Sequence, residues 1–373
     1  MKILHVAGAR PNFMKVAPVM RALATRGATS ILVHTGQHYD EAMSDAFFTD
    51  LGLPQPDVHL EVGSGSHAAQ TARIMERIEP VLIEHRPDLT AVVGDVNSTI
   101  ASALVCAKLG LAIAHVEAGL RSFDRSMPEE INRVLTDQVS DLLFTTSPEA
   151  EDNLVAEGIA REKIHFVGNP MIDSLESHRE RARSSNALTT FGVAPAAYGL
   201  VTLHRPSNVD DPETFRRILD ALLDVSREIP LVFPAHPRTV KMIGEFDLGV
   251  SVSGSSLAVV EPLGYLDFLH MMANARIVLT DSGGIQEETT ILGVPCLTLR
   301  WNTERPITVS MGTNRLVGTD PDAIRREALA VLAAPPPPAA RPPLWDGKAG
   351  DRIADVIVSQ PERRTKEATR AGR

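Results

Sequence analysis

Ile277-Val278-Leu279-Thr280-Asp281-Ser282-Gly283-Gly284-Ile285-Gln286-Glu287-Glu288 reads as a buried strand that runs through Ser-Gly-Gly directly into a helix. An apolar run without polar alternation suits a strand covered on both faces, as in a parallel sheet. Two glycines at the helix start leave backbone N–H groups open to an anionic group, with no side chain in the way. A tight packing turn is the alternative, and the phosphate reading is preferred. Working outward, Leu200–Leu203, Leu231–Pro234, Ala258–Val260 and Cys296–Leu299 read as further strands. Pro212–Glu228, Tyr265–Asn274 and Gly284–Leu292 read as the helices between them. The N-terminal half repeats the rhythm, with strands at Ile3–Ala7, Ser30–Thr35, Leu89–Gly94, Ala112–Glu117 and Leu142–Thr146. Its helices are predicted at Val16–Thr25, Ala68–Glu84, Ser98–Lys108 and Glu129–Val139. Alternating strands and helices imply parallel sheets with right-handed crossovers. The expected fold is therefore α/β, two doubly wound Rossmann-like domains facing a cleft, with ligands at the carboxyl ends of the strands.

The expected division is residues 1–168 and residues 169–347, with a last helix at 348–359 packing back on the first domain. Residues 169–197 are Arg- and Ser-rich and read as the linking region. Pro335 to Pro338, followed by Arg341-Pro342-Pro343, predicts a stiff extended connection. Residues 360–373 are polar and charged and read as a disordered tail.

Composition narrows the function. The 373 residues are 43% hydrophobic and 23% charged, which suits packed globular domains. Lys and Arg total 37 against 47 Asp and Glu, a formal net charge of −10. That balance argues against a nucleic-acid or membrane-surface binder and leaves room for a local basic pocket. Two cysteines far apart, Cys106 and Cys296, make neither a disulfide framework nor a zinc cluster. No apolar run reaches bilayer-spanning length, so a soluble, cytoplasmic protein is expected.

Polar residues gather where the predicted strands end. Arg10 and Lys15 follow the first strand, where fixed cations beside a helix start suit a diphosphate, or form a solvated first-turn pair. Asp95 ends Val92-Val93-Gly94 and either faces the cleft or caps the next helix. Glu117, in His115-Val116-Glu117-Ala118-Gly119-Leu120-Arg121, is an acid at a buried strand end and points to function. Glu129 and Glu130 open a helix after Pro128, with Arg133 one turn on. Converging carboxylates in a partly dry pocket push their proton affinities apart, so that one acid donates while another accepts. His204-Arg205 either touches a leaving phosphate or is structural. Glu288 suits a ribose diol, and Arg300 and Arg305 border the same cleft or are surface cations. Gly63-Ser64-Gly65-Ser66-His67-Ala68 fits G-x-G-x-x-A, but no acid follows at the required distance and it reads as a flexible loop. No metal-binding spacing is present.

Taken together, Gly8-Ala9-Arg10-Pro11, Thr35-Gly36-Gln37-His38, Gly94-Asp95, His115–Arg121 and Pro128–Arg133 resemble the non-hydrolysing UDP-N-acetylglucosamine 2-epimerases. Gly168-Asn169, His204-Arg205, Asp281–Glu288 and Thr303-Glu304-Arg305-Pro306 extend the resemblance over nearly the whole chain. It implies the GT-B architecture, usually as a homodimer, and an isomerase of polysaccharide biosynthesis that needs no cofactor or metal. It further implies that Arg10, Lys15, Phe268, Ser282, Gly283, Gly284, Glu288 and Arg305 hold UDP. Asp95, Glu117, Glu129 and His204 would surround the reacting sugar, and Gln37 and His38 would fall at an allosteric pocket for the substrate itself. The implied reaction interconverts UDP-N-acetylglucosamine and UDP-N-acetylmannosamine by loss and re-addition of UDP through a 2-acetamidoglucal. Asn12 and Ser207 stand where family members often carry acids, which implies an altered sugar pocket. The alternatives are an epimerase of a UDP-diacetamido sugar, a hydrolysing 2-epimerase, and a GT-B UDP-sugar glycosyltransferase.

Overall fold

The computed structural model describes residues 1–36, 51–335 and 341–360. The chain divides into two compact units, Met1–Ser174 together with the segment from Pro343, and Leu175–Pro342.

In the first unit the strands are β1 (Lys2–Ala7), β2 (Thr29–His34), β3 (Val58–His59), β4 (Leu89–Val93), β5 (Ile113–Ala118), β6 (Leu142–Thr145) and β7 (Ile164–Phe166). They form one parallel sheet in the order β3-β2-β1-β4-β5-β6-β7. Helices α1 (Arg10–Thr25), α2 (His67–His85), α3 (Asn97–Leu109), α4 (Pro128–Val139), α5 (Pro148–Ala156) and α6 (Pro170–Ala182) make the crossovers and the exit. Burial explains the apolar strands: every residue of β4 and β5 is buried. Leu4, Val6, Val33 and Val92 pack under Ile74, Ile78 and Leu82 of α2 and Ala101, Val105 and Cys106 of α3. The Gly63–Ala68 loop leads from edge strand β3 into α2, and Ser66 Oγ accepts from Ala69 N–H at 3.3 Å. It is a helix cap at a sheet edge.

The second unit repeats the plan. Strands β8 (Gly199–Thr202), β9 (Leu231–Pro234), β10 (Leu257–Val260), β11 (Ile277–Thr280), β12 (Cys296–Thr298) and β13 (Asn314–Leu316) align in the order β10-β9-β8-β11-β12-β13. Its longer helices are α7 (Pro212–Ser226), α8 (Pro237–Glu245), α9 (Tyr265–Asn274), α10 (Gly283–Leu292) and α11 (Pro321–Ala333). Phe215, Leu219 and Leu222 of α7 fill the core with Val201, Phe233 and Leu279.

The division between units falls inside α6, where the sequence reads as a linker; buried Met171, Ile172, Leu175 and Ala182 give that helix an apolar face. The last helix, α12 (Ala349–Ser359), belongs to the first unit and packs on α1. Asp173 receives it by accepting from Ala349 N–H (3.1 Å) and Gly350 N–H (2.7 Å). Burial pushes the Asp173 carboxyl up to about 6, against the pull of those two hydrogen bonds. The tail and most of the proline run lie outside the described residues, as do Gln37 and His38. No helix among the described residues is long and apolar enough to cross a membrane.

Candidate active site

Both sheets reverse their winding between their first and fourth strands, and that switch point opens a crevice at the strands' carboxyl ends. In the first unit it is bounded by the β1–α1 and β4–α3 turns. Asn12 ties the two together: its Oδ1 accepts from Gly8 N–H (3.1 Å) and Ala9 N–H (3.0 Å), and its Nδ2 donates to Val93 O (3.2 Å). The residue that departs from the family pattern is thus committed to the turn.

Beside this tie stands Glu117, at a register shift in the β5–β6 pairing between Val116 and Ala118. Its φ is +72°, a left-handed conformation that a side chain adopts only when its surroundings enforce it. Glu117 is 4% exposed and Lys15, from α1, is 5% exposed; the two form a buried ion pair. A buried carboxylate needs such a counter-charge. Gly94, at φ +69°, faces the pair: a Cβ there would lie 3.2 Å from Asn12 Nδ2 and 3.4 Å from Glu117 Oε2. Lys15, expected on a diphosphate, is therefore engaged by Glu117 here.

Asp95 does not spend its carboxylate on capping α3, whose N-cap is Val96 without a side-chain cap bond. Arg133 of α4 holds it instead, with Nε at 3.0 Å and Nη2 at 2.8 Å from Oδ2. The same guanidinium reaches Glu130 at 2.5 Å. Glu130 also accepts from the backbone N–H groups of Ser122 and Phe123, both at 2.9 Å, and so shapes the β5–α4 loop. Glu129, next to it, is half-buried in the first turn of α4, with no ion pair among the described residues. Arg10 opens α1.

The switch point of the second unit carries the other set. Asp281, at the end of β11, is fully buried and accepts from His204 N–H (3.0 Å), Arg205 N–H (2.9 Å) and Asn208 Nδ2 (3.2 Å). It also lies 2.9 Å from His204 Nδ1. Burial would raise the Asp281 carboxyl, but His204 and the two backbone N–H groups outweigh it and hold it below the ordinary range. With Nδ1 so engaged, His204, 54% exposed, presents its Nε2 outward.

Ser282, Gly283 and Gly284 begin α10. A Cβ on Gly283 would collide with the Arg305 guanidinium and lie 2.6 Å from Glu304 Oε1. Glycine there lets the Arg305 guanidinium lie against the helix start. Arg305 pairs with Glu287 (2.8 Å) and Glu304, while Arg300 (2.7 Å) and Arg205 (3.8 Å) also reach Glu304. Glu287 and Glu304 thus hold the guanidiniums of Arg305 and Arg300 beside the helix N-terminus, where an anion is favoured. Glu288 is buried one turn on, 3.3 Å from the Tyr265 hydroxyl. Burial, reinforced by Glu287 and opposed by the Tyr265 hydrogen bond, pushes its carboxyl up to about 8. Phe268 lies half-buried on α9.

A sequence profile described as UDP-N-acetylglucosamine 2-epimerase matches residues 21–358. The chain is 42% identical over 364 residues to a UDP-N-acetylglucosamine 2-epimerase of Methanocaldococcus jannaschii, covering 96% of this chain and 99% of that one. It belongs to the UDP-N-acetylglucosamine 2-epimerase family. The crystal structure of the M. jannaschii protein in complex with UDP-GlcNAc and UDP superposes with a TM-score of 0.91, covering 96% of this chain and all of the other at 42% identity. A Neisseria meningitidis UDP-GlcNAc 2-epimerase bound to UDP-GlcNAc gives 0.86 at 30% identity, over 96% and 100% of the two chains. A Pseudomonas aeruginosa UDP-2,3-diacetamido-2,3-dideoxy-D-glucuronate 2-epimerase is 44% identical over 336 residues, 89% of this chain and 92% of its own. The two-Rossmann α/β fold expected from the sequence is that of these epimerases.

Within this family frame, the first unit gathers Lys15 with Glu117, and Asp95 with Arg133. The second gathers His204 with Asp281, and Arg305 with the Gly283 turn. The sequence set Glu129 and Glu130 one turn before Arg133, and the pair forms with Glu130. Glu287 and Glu304, whose carboxylates order the arginines, and Tyr265, the partner of Glu288, were given no role. The one available signal for the two acids was that each stands beside a residue already singled out.

Proposed function

We propose that this protein interconverts UDP-N-acetylglucosamine and UDP-N-acetylmannosamine at carbon 2 without hydrolysing them. The observation that carries this reading is Glu117, a carboxylate held in a costly left-handed bulge against a buried lysine at a sheet's switch point. Such strain persists where a reacting group must be placed. In the forward direction a carboxylate removes the carbon-2 proton while the bond from carbon 1 to the diphosphate oxygen breaks, its electron pair leaving with UDP. The product is a 2-acetamidoglucal. Re-addition of UDP to carbon 1, with a proton delivered to the opposite face of carbon 2, completes the inversion. Substrate and product stand at one oxidation level, so no electron acceptor enters the balance.

The residue types suit these demands. Arg10, His204, Arg305 and the Ser282-Gly283-Gly284 helix start would stabilise the departing diphosphate. Glu288 would take the ribose hydroxyls and Phe268 would line the uracil. Asp95, Glu117 and Glu129 would divide the proton transfers. Incubation with UDP-N-acetylglucosamine in heavy water tests the proposal. Deuterium at carbon 2 of both UDP-sugars supports it. Free N-acetylmannosamine accumulating would assign the hydrolysing reaction, and retention of protium with sugar transfer would assign a glycosyltransferase. A second substrate is favoured by Ser207 together with the P. aeruginosa relative. A UDP-2,3-diacetamido uronic acid therefore belongs in the same assay.

A further inference from the structure

Glu117 does not hold its own backbone in place, and something must offset the cost of φ +72°. The residues on either side of the bulge lead to one buried carboxylate, Asp137 of α4. Two positions before Glu117, His115 Nδ1 lies 2.6 Å from Asp137 Oδ1. Two positions after it, Gly119 N–H donates to Asp137 Oδ2 at 3.1 Å, and the Arg121 guanidinium donates to the same oxygen at 2.7 Å. One carboxylate thus spans the bulge, an oxygen to each flank. His115 extends the grip across the sheet, with its Nε2 2.8 Å from the carbonyl of Gly94, the glycine that faces the Lys15–Glu117 pair. His115 and Asp137 are completely buried and touch no solvent from which a substrate would come.

We infer that Asp137 and His115 are positioning residues that clamp the β5 bulge and so aim Glu117 at the reacting carbon. The inference rests on the proposed role of Glu117 at carbon 2.

Both ring nitrogens of His115 are engaged, Nε2 with the Gly94 carbonyl and Nδ1 with the Asp137 carboxylate. Burial would raise the Asp137 carboxyl, but His115 and Arg121 outweigh it and hold it below the usual range. Arg121 passes its remaining charge to Glu157 at 2.6 Å. Partners on both flanks of the bulge thus satisfy the buried Asp137 carboxylate, as a buried polar cluster requires. A clamp of this kind works through hydrogen-bond geometry, so an isosteric amide preserves most of it. In Asp137→Asn the oxygen still accepts from Gly119 and Arg121, and the NH2 faces His115 Nδ1.

The test compares Asp137→Ala, His115→Leu and Asp137→Asn by carbon-2 deuterium exchange, with folding checked by circular dichroism. The first two should lose about 100-fold in kcat with KM for the UDP-sugar within about twofold, the scale of a misaimed reacting group. The third should stay within about tenfold of wild type. Nitrogen NMR of labelled protein should show the His115 Nδ1 signal displaced in Asp137→Asn, where its hydrogen-bond partner changes. If Asp137→Ala fails to fold, His115→Leu decides. A folded Ala or Leu variant with wild-type kcat, or one whose loss lies in KM alone, overturns the clamp. A Glu117→Gln variant run alongside separates the premises: if it still exchanges, the role of Glu117 falls. The clamp is then judged by the nitrogen spectra, a His115 Nδ1 signal unmoved by Asp137→Asn refuting it.

Discussion

Glu117→Gln should separate what the Lys15–Glu117 pair does for the fold from what it does for the reaction. Both side chains are nearly inaccessible, 7% and 4% exposed, so removing the negative charge leaves an ammonium in the interior without a counter-ion. Breaking a buried pair from one side costs about 3–5 kcal/mol. Gln at position 117 keeps the left-handed backbone, whose cost of about 1–2 kcal/mol cancels in the comparison. Replacing both partners, Lys15→Met with Glu117→Gln, removes the orphaned charge, and the double variant should return to within about 1 kcal/mol of wild type. Neither variant should place deuterium at carbon 2. The reporter for stability is built in: Trp345 is buried in the same unit, with its indole N–H donating to Thr146 O at 2.8 Å. Trp301, 72% exposed in the other unit, is replaced by Phe in every variant so that Trp345 reports alone. Urea unfolding then gives the three stabilities. A Glu117→Gln variant as stable as wild type, or a double variant no more stable than the single one, would refute a buried charge pair. Exchange in the double variant would refute a catalytic Glu117.

Three further outcomes follow from the second unit and from the β1–α1 turn. Gly283→Ala drives a methyl group into Glu304 and Arg305 and should weaken UDP binding at least tenfold by calorimetry, with about 1–3 kcal/mol of destabilisation; unchanged affinity would remove Arg305 from the anion site. Glu288 is raised from 4.5 to about 8, so its contribution to stability is complete below 4.5 and is lost as pH rises through about 8. Glu288→Gln should abolish that alkaline loss, which amounts to about 5 kcal/mol, and parallel pH–stability curves for the two proteins would show that the carboxyl carries no raised proton affinity. Arg10→Ala should lower UDP affinity with little change in melting temperature, and wild-type affinity would free Arg10 of its role.

How far the sequence reached follows from which contacts are local. β1, β4, β5, β9 and β11 were legible because each is a short run of Val, Ile and Leu buried on both faces. The edge strands β3, β7 and β13 escaped, because Val58–His59, Ile164–Phe166 and Asn314–Leu316 are two or three residues long and mostly not buried. α6 escaped for a different reason: polar residues between Asp173 and Arg181 dominate its composition, while Met171, Ile172 and Leu175 bury one face. In the sites, what the sequence could announce was position, a polar residue at the end of a buried strand. Partnership was beyond it. Lys15 and Glu117 lie 102 positions apart and meet only because β4 inserts between β1 and β5. Nothing in Val116-Glu117-Ala118 announces a left-handed residue, because the bulge arises from the β5–β6 register and from what holds its flanks. Asp281 and Asp137 are therefore informative in the same way. Each is a buried carboxylate that accepts from the backbone and lies against a histidine, and each fixes a loop at a switch point or beside it. Neither was singled out from the sequence, because an acid that holds a loop still differs from one that reacts only in its hydrogen-bond partners.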